Sequence, residues 1–424
     1  MRIAFLTPEY VTESNFDGGL ANYLHRVARG MQRFGHDVEV FTLSASDGVI
    51  VHDGVHVNRV RIDDRLLGRC NRLTQTRFPM TLRALCAAFH LSRRFRERHR
   101  AAPFDIVQAS NEWASGLFVR RDKSICLVTR VSFYQPLWRE CYRQPLTLDR
   151  RIFEWLYAVA ERRSDAVCVP SEFMARIWRE RTACQADVVR PPFFLEADTV
   201  DETVYHKHLA GKKYFLFFGA IGVLKGCDVL GQAVAPLLGR FPDMFLALVG
   251  RDVQGPAGGS MVEFMQQEAG IHSDRILHLG VLSHAQLYPI IQRSWSVVLP
   301  SICDNLPNAM LEAMALGAAV IGTKGTSFEE FIEDNVSGWL VEPGNAEALS
   351  NTMQTVWSLP AERIESIGSR AQEALSPLAP QTACARTEEY FRDVMRRCRS
   401  SGVVHGKELS RTIGDRVSEP GARV

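Results

Sequence analysis

Pro300-Ser301-Ile302-Cys303-Asp304-Asn305-Leu306-Pro307-Asn308-Ala309-Met310-Leu311-Glu312-Ala313-Met314 is the stretch that decides the fold. An apolar strand read over 296–300 enters a polar loop, and the loop enters an apolar helical run read over 309–320. Two carboxylates, Asp304 and Glu312, stand eight positions apart across this strand–loop–helix junction. Burying Glu312 in an apolar helix is costly unless a polar partner satisfies it. Pro307 suits a first helical turn. The sharper reading makes the two acids acceptors for ligand hydroxyls, because carboxylates take strong hydrogen bonds from sugars without a metal. The plainer one is an acid near a helix start and a polar residue on a buried helix.

The same unit recurs outward in both directions. Short apolar runs over 3–7, 38–43, 55–60, 106–108, 125–131 and 166–170 alternate with helical patterns over 20–34, 81–99 and 149–163. After a polar connector near 197–213 the pattern restarts, with strands over 214–219, 245–250, 276–279, 296–300, 319–322 and 339–341. Such alternation predicts an α/β fold of two doubly wound, Rossmann-like parallel-sheet domains in tandem. A chain of 424 residues fits two domains of roughly 150–200 residues each. The expected boundaries are 1–197 and 210–376, then a helix over 377–399 and a disordered tail over 400–424.

Hydrophobic content of 46%, charged content of 23% and a net charge of +2 argue against a nucleic-acid binder. Residues 59–100 hold twelve Arg against three acids, a local basic excess that can steer an anionic partner or reflect a solvated basic helix. The ten cysteines form no C-x-x-C pair, as expected for free thiols in a reducing cytosol. No run reaches the ~18 apolar residues of a membrane span. The expected location is cytoplasmic, with at most a peripheral contact to an anionic membrane.

In such sheets ligands bind beyond the carboxyl ends of the strands, and the other chemistry-bearing residues gather there. Gly18 and Gly19 precede the helix from Leu20 and can admit a phosphate or sugar to backbone N–H groups, or simply form a flexible loop. Gly219 ends a strand, and Lys225 comes after it near a helix start, where a cation opposes the macrodipole unless an anion lies between. Lysine is scarce, seven against 43 Arg. Thr326 and Ser327 are expected to cap a further helix. His284 reads as a surface-loop residue. Neither zinc-ligand spacing nor a G-x-S-x-G elbow occurs, so no metal or cofactor is expected.

Taken in order, these motifs resemble the retaining, nucleotide-sugar-dependent glycosyltransferases of the GT-B fold, family 4. The resemblance rests on Thr7-Pro8-Glu9-Tyr10, Gly18-Gly19, Gly35-His36-Asp37-Val38, Asn111-Glu112-Trp113, Val169-Pro170-Ser171-Glu172, Gly219…Lys225-Gly226, Pro300-Ser301, Asp304…Glu312-Ala313-Met314 and Glu330…Gly338…Leu340-Val341. It implies a hexosyltransferase whose first domain binds the acceptor and whose second binds the donor, with a crossover helix over 377–399 returning to the first domain. Glu312 would hold the donor ribose and Asp304 the transferred sugar, in a place usually taken by Glu. Lys225 would hold the diphosphate, with Gly280, Val281 and Leu282 facing the base and the backbone of residues 303–307 facing the sugar, so that Asn305, Leu306, Pro307 and Asn308 count among the donor-binding residues. Asn111, Glu112, Arg130 and Ser132 would stand on the acceptor side.

The sequence departs from that pattern twice. Ala220 stands where the family usually has a diphosphate-binding Arg, a loss on the order of 1.5–3 kcal/mol for one charge-assisted contact. The segment Thr129-Arg130-Val131-Ser132-Phe133 lacks the His many members carry, and Arg130 is expected to take over part of its charge role. The resemblance implies same-face transfer from a UDP- or GDP-sugar to a saccharide or lipid-linked saccharide, in bacterial polysaccharide or glycolipid synthesis. Rival readings on the same scaffold are a nucleotide-sugar 2-epimerase and a non-catalytic nucleotide-sugar-binding protein.

Overall fold

The computed structural model describes residues 1–13, 19–63, 68–69, 72–73, 77–119, 125–142, 144–196, 199–256 and 258–400. Gly18 and the tail from 401 onward lie outside them. In the first half the strands are β1 (Arg2–Thr7), β2 (Asp37–Ser44), β3 (Gly48–His52), β4 (Val55–Arg61), β5 (Ile106–Ser110), β6 (Cys126–Arg130), β7 (Ala166–Val169) and β8 (Asp187–Val188). Helices α1 (Gly19–Arg33), α2 (Pro79–Ala101), α3 (Gln135–Cys141), α4 (Leu148–Arg162) and α5 (Glu172–Thr182) connect them. The sheet order is β3-β4-β2-β1-β5-β6-β7-β8, parallel except for β3.

The second half holds β9 (Lys213–Phe218), β10 (Met244–Val249), β11 (Ile276–His278), β12 (Ser296–Val298), β13 (Val320–Thr323) and β14 (Trp339–Val341). Its helices are α6 (Thr203–His208), α7 (Cys227–Arg240), α8 (Met261–Ala269), α9 (His284–Gln292), α10 (Asn308–Ala315), α11 (Ala346–Trp357) and α12 (Ala361–Glu373), and α13 (Pro380–Ser400) ends the described chain. The six strands are parallel in the order β11-β10-β9-β12-β13-β14. These are two doubly wound α/β domains of the GT-B type. Helices cover both faces of each sheet, which is why the strands read as nearly continuous apolar runs. In β9, for example, Tyr214 to Phe218 are all buried.

The last helix returns to the first domain. Cys384, Phe391 and Val394 of α13 join Ile3, Val27 and Met31 in one apolar cluster. Gly30 of α1 lets the two helices approach, because a Cβ there would strike the Cys384 sulfur.

Three local expectations change. The helix carrying Glu312 ends at Ala315, not Val320, because Gly317 adopts φ +73° and Val320 already pairs in β13. Thr326 accepts from Phe328 N, but Ser327–Glu330 form a single 3₁₀ turn, too short for a helix dipole to hold phosphate. Strands β3 and β8 lie at the two sheet edges, where alternation is weak and the runs are short.

Candidate active site

In each sheet the chain winds away in opposite directions from one pair of neighbouring strands, and a crevice opens at their carboxyl ends. In the second domain that pair is β9 and β12. The β9 loop carries Lys225 in a 3₁₀ turn closed by Gly226 at φ +68°. A Cβ on Gly226 would run into the Pro300 carbonyl, so only glycine lets this loop meet the β12 loop. Ile302 N donates to Leu224 O at 3.0 Å across the same seam.

This seam brings the expected diphosphate and sugar residues into direct contact. Lys225 Nζ lies 2.5 Å from Asp304 Oδ2, and Ser301 Oγ donates to the same oxygen at 3.1 Å. The two were expected to act on separate parts of a donor, and here they are one ion pair at the crevice mouth. Gly219 closes β9 with its N–H on Val249 O, and Ala220 beside it is exposed. Gly280, at φ +74°, accepts from Gly250 N, leaving Val281 exposed and Leu282 half-buried at the end of β11.

Glu312 sits on the inner face of α10, 5% exposed. Burial raises its carboxyl to about 7, opposed by Arg26 and assisted by Glu196. His284 Nε2 lies 3.7 Å from Glu312 Oε1 and its Nδ1 4.0 Å from Glu196. His284 therefore starts α9 facing the carboxylate instead of lying in a surface loop, and burial lowers its own pKa. Arg26 of α1 is buried over Phe193 and Phe194. It donates to Glu196 at 2.8 Å and to Asn308 Oδ1 at 3.3 Å. Arg26 and Glu196 were not anticipated. The one available signal was an arginine on the apolar face of α1, among Ala21, Leu24, Val27 and Ala28.

The loop between β12 and α10 also crosses to the first domain. Asn305 donates to Ser132 O and accepts from Ser171 Oγ at 2.6 Å, and Cys303 shares a thiol hydrogen bond with Cys141 of α3. That contact pushes Cys141 down to about 7. Leu306 packs half-buried on the second core, and Pro307 caps α10. The side chains of Asn305 and Asn308 thus hold the domains together rather than standing open to a ligand.

On the acceptor side the expected residues divide. Asn111 is buried and braces two loops, donating to Phe133 O and to Glu161 and accepting from Ser132 N. Burial pushes Glu161 up to about 8. Arg130 does not face the crevice. It is 2% exposed, lies 3.7 Å from the Tyr23 ring centre and donates to Val189 O, a structural cation of the first core. Gly19 begins α1, whose free Ala21 N–H is already taken by the Glu9 carboxylate.

Glu112 does line a cavity, of about 510 Å³, at the carboxyl ends of β1, β2, β4 and β5. Glu9, Glu13, Arg61, Arg83 and Trp113 share its wall. Trp113 and Ala114 hold positive φ, 53° and 50°, a strained conformation that commonly marks a binding loop. Arg83 stacks on Trp113 at 4.7 Å, and Arg59 pairs with Glu13 at 2.9 Å. Part of the basic segment is paired: Arg98 with Glu39, and Arg93 and Arg94 near Glu97.

Two domains with a crevice between their switch points, and a buried carboxylate and a lysine on one wall, define a sugar-transferring enzyme of the GT-B class. The family models agree: "Glycosyl transferases group 1" matches residues 202–374 and "Glycosyl transferase 4-like domain" matches 18–192. The chain belongs to the family 4, group 1 glycosyltransferases. It is 26% identical to a D-inositol 3-phosphate glycosyltransferase of Arthrobacter sp. (strain FB24), over 92% of this chain and 94% of that one. Its fold is shared with sucrose-phosphate synthase from Thermosynechococcus elongatus, at TM-score 0.73 and 17% identity over 93% and 99% of the two chains. It is shared too with Anabaena HepE in complex with UDP-glucose, at TM-score 0.65 and 18% identity over 93% and 100%.

Proposed function

We propose that this glycosyltransferase moves a sugar from a uridine diphosphate sugar to a hydroxyl of a small anionic polyol or sugar, with retention of configuration. The observation that carries the reading is Glu312, a carboxylate buried on α10 with His284 3.7 Å away and Arg26 and Glu196 acting on its charge, on the helix that follows the loop bearing Asp304. When the anomeric carbon–oxygen bond breaks, the electron pair goes to the β-phosphate oxygen. Lys225, released from Asp304, and the N–H groups of its loop stabilise that charge. Asp304 then accepts from sugar hydroxyls, and Glu312 from the ribose.

Retention is read as same-face attack, as the family resemblance implies, with the leaving phosphate taking the acceptor proton and no carboxylate forming a covalent intermediate. The cavity bearing Arg61 and Arg83 is assigned to the acceptor. The curated relative named for inositol 3-phosphate supports a phosphorylated hydroxyl compound there.

The test is a screen of UDP- and GDP-sugars against inositol phosphates and hexose phosphates. Release of UDP that depends on one such acceptor is expected. Nucleotide release that no acceptor accelerates would contradict the reading.

A further inference from the structure

Outside the crevice, α1 and the β3–β4 hairpin bring three potential ligands together. His25 comes from α1, and His52 and Asp53 come from the hairpin turn. One donor atom from each lies within 4.8 Å of the other two. The hairpin is built to hold that arrangement. Asp53 and Gly54 both have positive φ, 48° and 81°, the backbone of a tight two-residue turn. Gln32 of α1 donates to the Gly54 carbonyl, fastening the turn to the helix. The fully buried Tyr10 stands behind both rings, 6.3 Å from His25 and 6.4 Å from His52.

As it stands the cluster is poorly satisfied. His25 Nδ1 is buried without a hydrogen-bond partner, and so is the Tyr10 hydroxyl. His25 Nε2 is 3.4 Å from Asp53 Oδ2, a separation that suits an ion pair only if the ring is charged. Burial drives His25 the other way, and His52 and Arg29 add to that against Asp53 and Glu196. The site sets a carboxylate beside two imidazoles, open to solvent at Asp53.

We propose that His25, His52 and Asp53 form a site for a divalent transition metal of the zinc class, clasping the β3–β4 hairpin to α1. Two imidazoles and one carboxylate are a regular donor set for zinc, with water as fourth ligand, at about 2.0–2.2 Å from the ion. Ligands around such an ion stand ~3.4 Å apart, so the three groups need to close by roughly 1.5 Å at most. Arg29, 3.6 Å from Asp53, is the cation the metal must displace, and its one-third exposed side chain has room to swing outward. The site includes none of the residues assigned to bond breaking. Its influence on transfer would pass through α1 to the neighbouring Arg26.

The full-length protein, stripped with a chelator, is titrated with Co²⁺ and the ion then competed off with Zn²⁺. One equivalent is expected, with the visible absorption of tetrahedral nitrogen and oxygen ligation and no thiolate charge-transfer band. His52→Ala and Asp53→Asn should each weaken binding tenfold or more, while Arg29→Gln should strengthen it severalfold. Zinc should raise the melting temperature of the unsubstituted protein and not of His52→Ala, with circular dichroism confirming that each variant folds. Absence of Co²⁺ binding overturns the proposal, as does undiminished binding by both His52→Ala and Asp53→Asn. A thiolate band would place the ion at cysteine and overturn it equally.

Discussion

Glu312 is the residue on which the proposed donor site turns, and its burial gives a sign that can be measured. Below about 7 it carries a proton, and above that both oxygens can accept from ribose hydroxyls. Affinity for UDP should therefore rise between about pH 6 and about pH 8, by up to tenfold, since one pKa unit corresponds to about 1.4 kcal/mol. Titration calorimetry across that range should show the rise, and Glu312→Gln should flatten it. A pH-independent affinity in the unsubstituted protein would be inconsistent with this role. The linkage for folding has the opposite sign. A carboxyl raised in the folded state stabilises it fully below the unfolded value near 4.5, and that contribution is lost as pH rises through about 7. Glu312 was legible in the sequence because a carboxylate in an apolar helix stands out. Arg26 and His284 were not, because their meaning depends on contacts far along the chain. Arg26 meets Asn308 across 282 positions, and no local pattern records that.

The strand–loop–helix junctions position the site, and the loops after β9 and β12 do so by touching. Gly226 is the point of contact. Gly226→Ala would place a Cβ both in the left-handed region and against the Pro300 carbonyl. It should destabilise the second domain by at least about 2 kcal/mol and separate Lys225 from Asp304. Chemical denaturation would read the first effect and loss of UDP affinity the second, and a variant of native stability would refute the close-contact account. The buried parallel strands announced themselves as apolar runs, and their expected ranges fall within a few residues of β1, β2, β4 and the strands of the second sheet. Strand β3 escaped notice because an edge strand paired on one side needs no apolar run, and its residues are largely exposed. The premature end of α10 escaped because Gly317 lies inside an unbroken hydrophobic stretch.

Across the whole molecule, the crevice is bridged at separate points. Arg26 reaches Asn308, Asn305 reaches Ser132 and Ser171, and Glu330 accepts from Phe173 N and Arg190. Such contacts tie the first-domain wall of the crevice to the second-domain wall, and a closed crevice that excludes water would favour transfer over hydrolysis. The two-domain architecture was readable from the alternation of strands and helices, but the bridges were not, since they join loops distant in sequence. The central claim is a division of labour, with the donor on the second domain and the acceptor on the first. The most direct test measures UDP affinity and acceptor-dependent UDP release side by side in Glu312→Ala and Arg83→Ala. Glu312→Ala should lose UDP affinity by tenfold or more, and Arg83→Ala should keep it while losing acceptor-dependent turnover. Full UDP affinity and transfer in Glu312→Ala would contradict the account.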